Sequence, residues 1–319
     1  MTSLRGTSAR ALIGLIALIF FTAASCSESK EVGAAQVKEE LSPDQAPEIT
    51  VALKRKEEAE RIVCLGGTIT ETVFALGRGD WVVGVDTSSS HPSAVEGLPK
   101  VGYHRAFSAE GVAGLEPTLV LHTEETGSEI ALEQIAALNL DIHEIPSPHD
   151  EDSAVQSIRT IGQLLGASER AELLIQDLEN DLDEVQGLVA KDTRRPTVVF
   201  LYGRGGGIMM IAGQNTSAQH IIELAGGENP EFDFESYKPF SSEAFIKLDP
   251  EYILMMTHGL ESVGGKEAVL DLPGVNMTRA GKGDGQIIHI DDLKLLGYGP
   301  RMGQAALELF EAIHPEINK

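Results

Sequence analysis

The sequence predicts an α/β protein of two Rossmann-like lobes with parallel sheets, joined by a single long helix. Apolar runs of strand length alternate with stretches of helical spacing, the order that builds parallel sheets. One amphipathic segment, from Ser168 to about Ala190, is much longer than its neighbours. After it, at Thr197, the strand-then-helix pattern restarts. In such sheets ligands sit beyond the carboxyl ends of the strands.

The N-terminus carries Arg5 and Arg10, the apolar run Ala11 to Phe21, and small residues ahead of Cys26. The run falls short of the ~20 residues that span a bilayer, so residues 1–25 read as an export signal. Small residues before a cysteine fit a lipoprotein cleavage site with Cys26 lipidated, although Ala23 stands where leucine is usual. Residues 26–60 are rich in Glu, Lys, Ala, Gln and Pro and read as a lipidated, solvated tether. The remaining cysteine, Cys64, lies in an apolar strand and reads as a small buried side chain. The expected organisation is then an N-terminal lobe over 61–167, a connecting helix over 168–191 and a C-terminal lobe over 192–319.

The full chain has a net charge of −24, and losing the first 25 residues removes two arginines and no acid, giving −26. Nucleic acid and anionic lipid surfaces are poor partners for such a chain.

In the first lobe the strands are Ile62 to Leu65, Trp81 to Asp86, Leu119 to His122 and Ile142 to Ile145. Gly66-Gly67 turns the chain into a helix capped by Thr68 or Thr70 and ended by Gly77. Helical spacing recurs over Ser128 to Leu138 and Ser153 to Leu165. In the second lobe Thr197 to Tyr202, Tyr252 to Thr257 and Ile287 to Ile290 are strands. Helices are expected from about Ser217 to Leu224 and from about Arg301 to Ile313.

Tyr103 and Arg105, two apart in an extended loop, can point to the same side. A ferric ion and a guanidinium both favour a phenolate, and tyrosinate is an axial ligand of haem iron. The same pair would also serve as a wall residue and a surface charge. Gly203-Arg204-Gly205-Gly206-Gly207 lacks the spacing of a phosphate loop and reads as a loop lining a cleft, with Arg204 available to an anion. His143, His149, Asp150, Glu151 and Asp152 suggest a metal by proximity, but the acids stand where they favour a helix dipole. His122 and His258 directly follow apolar strands and can line a cleft. No serine elbow or paired metal-ligand helix motif occurs, which disfavours an enzyme.

From residue 61 to 313 the chain resembles the periplasmic binding proteins of bacterial iron-compound ABC importers, and more narrowly their haemin-binding (HmuT-like) members. The resemblance is carried by Val83-Gly84-Val85-Asp86, Leu98-Pro99, Val101-Gly102-Tyr103 with Arg105, and Ser108-Ala109-Glu110-Gly111. It continues in Ala225-Gly226-Gly227, Tyr237-Lys238-Pro239, Leu272-Pro273-Gly274 and Leu295-Leu296-Gly297-Tyr298-Gly299-Pro300-Arg301. It implies the class III binding-protein fold, a periplasmic and lipid-anchored location, a monomer, and ferric haem as the transported ligand. Tyr103 would be the axial ligand and Arg105 its hydrogen-bond partner. Glu110 and Glu243, one per lobe, would dock on the permease of the ABC complex. Some haemin binders have histidine where Arg204 stands, which implies five-coordinate or water-capped iron here. Phe107, Met209, Met210 and Tyr298 are expected against the haem faces, with His258 lining the cleft. A cobalamin or ferric siderophore is the alternative cargo, and a metal-dependent hydrolase built on the His143 to Asp152 cluster the alternative from another class.

Overall fold

The structure is a computed structural model, and it describes residues 60–317 apart from 128, 139, 206–207, 231 and 283–285. The expected signal, Cys26 and nearly all of the tether lie outside these residues.

The chain first forms β1 (Ile62–Leu65), α1 (Gly67–Ala75), β2 (Val82–Val85), the short strands β3 (Gly102–Tyr103) and β4 (Ala106–Phe107), and α2 (Ala109–Ala113). It continues through β5 (Leu119–Thr123), α3 (Glu129–Ala136), β6 (Asp141–Ile145) and α4 (Glu151–Leu164). The main strands make one sheet in the order β2-β1-β5-β6, parallel throughout. All four residues of β1 are fully buried. Ile62 and Cys64 enter one apolar cluster while Val63 and Leu65 enter another, because the sheet is covered on both faces. Burying each such aliphatic side chain is worth roughly 1.5–3 kcal/mol.

Neither Thr68 nor Thr70 caps α1. The cap residue is Gly66, at φ 147°, with no side-chain hydrogen bond. Thr68 instead donates to the Gly297 carbonyl at 2.7 Å, and Thr70 to the Gly66 carbonyl at 3.1 Å.

The long helix is α5 (Ser168–Val189). After it come β7 (Val198–Arg204), β8 (Ile208–Ala212), α6 (Ser217–Leu224), β9 (Tyr237–Pro239), α7 (Ser242–Leu248) and β10 (Tyr252–Met256). The chain closes with α8 (Thr257–Ser262), α9 (Gly265–Leu270), β11 (Ile287–Ile290), α10 (Asp292–Leu296) and α11 (Met302–Ile313). The second sheet has the order β11-β10-β7-β8-β9. It corrects the expectation of a parallel sheet: β7, β10 and β11 are parallel, whereas β8 runs antiparallel to β7, and β9 to β8. The short Gly-rich connection after Arg204 permits only a hairpin, since a parallel crossover needs a dozen residues or more.

One face of each sheet packs on a single apolar cluster. It runs along α5 through Ile175, Leu178 and Val185 and takes in Leu309 and Phe310 of α11. Polar ties fix the two lobes to each other around it. Arg301 pairs with the buried Glu71, and His220 Nε2 stands 2.9 Å from Glu151 Oε2.

Candidate functional site

The parallel strands of the first sheet all end on one edge, and β3–β4 stands at that edge as a hairpin. Its base is tied to β2: the Val101 amide donates to the Val85 carbonyl at 3.0 Å, and Thr87 to Gly102 at 2.8 Å. Gly102 pairs with Phe107 and Tyr103 with Ala106, leaving His104 and Arg105 as the two-residue turn. Gly102 sits at φ 111°, where a Cβ would come within 3.0 Å of the Ala106 carbonyl, so the hairpin requires glycine there.

The turn sorts its side chains. Tyr103 is 45% exposed, and Arg105 is exposed and pairs with Glu125 in the loop after β5. Hydrogen bonding to Glu125, with the charge of that carboxylate, raises the guanidinium above its ordinary value. His104 turns inward, its Nδ1 3.5 Å from Asp86 Oδ2 and 3.3 Å from Ser88 Oγ.

Tyr202, on β7 of the second lobe, is a residue that sequence reasoning passes over. The signal was there to find: Tyr202-Gly203-Arg204 repeats the spacing of Tyr103-His104-Arg105. Gly203 between them is obligatory, because a Cβ there would stand 2.7 Å from the Gly259 carbonyl of α8. The β7–β8 register pairs Tyr202 with Met210 and Arg204 with Ile208. Cross-strand partners share a face and alternate residues change it, so Tyr202, Arg204, Met210 and Ile208 lie on one side. Arg204 and Ile208 are exposed, and Tyr202 contacts the Tyr237 ring at 5.9 Å.

Several expected wall residues lie elsewhere. Met209 pairs with Gly203 on the opposite face and packs against Val199, Leu201, Ile211 and Phe245, so period-two alternation removes it from the Tyr202 side. Tyr298 is 1% exposed; its hydroxyl donates to the Ser217 carbonyl at 2.8 Å and its ring stacks on His220. Burial pushes its phenol well above the ordinary value, and it serves as packing against α6 of its own lobe rather than as a ligand surface. Phe107 is buried in the core of the first lobe.

His258 is exposed, with Nδ1 3.4 Å from Asp292 Oδ1. His122 is buried, with Nδ1 3.0 Å from the Thr123 carbonyl. The His143 to Asp152 cluster does not converge: Asp150 caps α4 by accepting from the Ser153 amide at 2.8 Å, Glu151 meets His220, and His143 meets Asp141. Among the described residues no group of three or more His, Cys, Asp or Glu side chains can hold a metal. Burial pushes the Cys64 thiol up to about 12, which keeps it from acting as a nucleophile.

Glu110 and Glu243 occupy equivalent places in the two lobes. Each is exposed in the first turn of a short helix, two residues beyond a serine cap. Ser108 accepts from the Gly111 amide at 3.0 Å and Ser241 from Ala244 at 3.4 Å.

Similar proteins agree with this architecture. The periplasmic haem-binding protein RhuT from Roseiflexus sp. RS-1 is 40% identical, with a TM-score of 0.76 over 80% of this chain and 100% of that one. BhuT, solved with two haems, is 34% identical with a TM-score of 0.74, again over 80% of this chain and 100% of its own. An uncharacterized ABC transporter substrate-binding lipoprotein of Bacillus subtilis, YvrC, is 27% identical over 96% of both chains. A cobalamin-binding protein of Halobacterium salinarum is 28% identical over 64% of this chain and 55% of its own length. The pattern of the periplasmic binding protein family matches residues 62–293, and the chain belongs to that family.

Proposed function

We propose that this chain is the substrate-binding component of an ABC importer and that its cargo is ferric haem, captured between the two lobes. The observation that carries the reading is Tyr103: a half-exposed phenol on the β3–β4 hairpin at the carboxyl edge of the first sheet, beside the exposed Arg105. A free phenol has a pKa near 10, and a ferric ion together with a nearby cation favours its anion. Tyr103 is the axial ligand. Arg105 leaves Glu125 to donate to the phenolate, and Arg204, exposed at the end of β7 in the second lobe, meets a carboxylate of the cargo. Met210, Ile208 and Tyr202 supply apolar contact from the second lobe.

The repeated Tyr-x-Arg spacing supports a second reading, in which Tyr202 takes the iron from the opposite lobe. Arginine cannot ligate, so the second lobe offers a phenolate rather than an imidazole. Lipidation at Cys26 holds the protein at a membrane surface, and Glu110 and Glu243 meet basic pockets on a two-fold permease.

Titrating the purified, cargo-free protein with haemin tests the reading. A saturable Soret shift with a high-spin tyrosinate charge-transfer band is expected, lost in Tyr103→Ala. Loss in Tyr202→Ala instead moves the ligand to the second lobe. No saturable shift in the wild type, with saturable binding of cyanocobalamin, would replace haem by a corrinoid. Intact mass of the membrane fraction reports the acyl chains on Cys26.

A further inference from the structure

The middle residue of the ligand hairpin has a task of its own. Beneath the hairpin, Asp86 is a fully buried carboxylate at the end of β2. Its Oδ1 accepts from the Gly66 amide at 3.1 Å and from Ser89 Oγ at 2.7 Å; its Oδ2 accepts from the Ser88 amide at 2.8 Å and faces His104. An anion so deeply buried is tolerable only when nearly every lone pair is used. Burial would raise its pKa, but the bonds from His104, Ser88 and Ser89 outweigh that and hold it below the ordinary carboxylate value.

His104 is the one side chain of the turn that reaches this anchor. It is 16% exposed, whereas the flanking Arg105 is 57% exposed. Its ring lies against the Tyr103 ring with centroids 4.2 Å apart, tilted by 54°. The backbone ties of the hairpin are at its base. At the tip the side-chain ties are His104 to Asp86 and Ser88, and Arg105 to Glu125. The second of these joins two exposed groups and is the weaker constraint.

We propose that His104 is a positioning residue: seated on Asp86, its imidazole locks the turn and braces the Tyr103 ring, so that the phenol oxygen is aimed before cargo arrives. In this role it acts through Nδ1, which faces Asp86 and Ser88, and not as an iron ligand; ligation through Nε2 would show as an imidazole–iron signature. The inference rests on Tyr103 being the iron ligand, but the locking of the turn is a property of the cargo-free protein and is measured without cargo.

The test compares wild type, His104→Ala and His104→Gln, the last retaining a donor for Asp86. In the cargo-free proteins, hydrogen exchange of the amides of residues 101–108 is expected to rise about tenfold in His104→Ala and to stay near wild type in His104→Gln, with β1 and β5 unchanged in both. In haemin titrations His104→Ala keeps a saturable Soret shift, binds about tenfold more weakly, as loss of a residue that orients a metal ligand does, and has a broadened tyrosinate band; His104→Gln restores the band. Wild-type exchange in His104→Ala overturns the proposal, as does loss of an imidazole–iron signature in that variant. If the wild type does not bind haemin, the assignment of Tyr103 fails, and the exchange result alone decides whether His104 holds the hairpin.

Discussion

Arg301, at the start of α11 in the second lobe, clamps Glu71 on α1 of the first lobe, with Nε 2.7 Å from Oε1 and Nη2 3.0 Å from Oε2. Glu71 is 4% exposed and Arg301 also reaches Asp291 at 3.2 Å. A bidentate pair this deep costs much to break from one side, because the other charge stays buried. Glu71→Ala is therefore expected to lower stability by about 3 kcal/mol, read as a shift of the urea midpoint. The double variant Glu71→Leu with Arg301→Met recovers most of the loss; a double variant as unstable as the single one would locate the cost in packing.

Gly203 makes a second, steric prediction. The added methyl of Gly203→Ala meets the Gly259 carbonyl at 2.7 Å and Val263 Cγ1 at 3.0 Å. Both are packed, so β7 and α8 must part, at a cost of about 1–3 kcal/mol. Since Gly203 separates Tyr202 from Arg204, cargo affinity falls with thermal stability in this variant. Unchanged melting with weakened binding would separate the two effects.

These two sites mark the boundary of what the sequence could reveal. Strands such as Ile62–Leu65 and Tyr252–Met256 were legible because continuous apolar runs between turn residues have one reading in a sheet covered on both faces. The β3–β4 hairpin was not, since two-residue strands carry no periodicity. The direction of β8 is equally hidden, and direction and register decide faces: that is why Met209 and Met210 are both expected on the cleft side although the register puts them on opposite faces. Tyr103 and Arg105 were legible as chemistry. Glu125, 20 residues further on, became their neighbour only through the parallel order of β1, β2 and β5.

Glu125 competes for Arg105 with any phenolate at Tyr103. The Arg105–Glu125 pair is exposed at 57% and 53%, so it contributes at most about 1 kcal/mol. Removing the competing charge in Glu125→Gln is expected to tighten haemin binding about two- to fivefold, the equivalent of that energy, in an equilibrium titration. Weaker binding would mean that Glu125 positions Arg105 for the cargo instead of holding it away.

Acid sensitivity follows from Asp86. Its folded pKa lies below the ordinary value of 3.8, so the unfolded chain binds the proton first as pH falls. Its contribution to stability is therefore complete above the unfolded value and is lost as pH drops through the folded one. Asp86→Asn should lower stability at neutral pH and flatten the dependence of the urea midpoint on pH below about 4. A variant whose acid limb matches that of wild type would assign the limb to other carboxylates.

Docking can be separated from capture. Glu110 and Glu243 leave the first turns of two serine-capped helices at the same offset, one on each lobe, and neither lies in the hairpin or on β7. Acids placed this way are favoured by the helix termini without any partner, so their presence alone carries little weight. Charge reversal distinguishes a local role from docking. If each carboxylate seats in a basic pocket of the permease, Glu110→Lys and Glu243→Lys each reduce uptake by about tenfold or more and together abolish it, because a like charge is forced into the pocket. The haemin dissociation constant and the melting temperature stay at wild-type values in all three. Uptake unaffected by the double reversal would remove these residues from the interface, and uptake lost in step with haemin affinity would place them in capture instead.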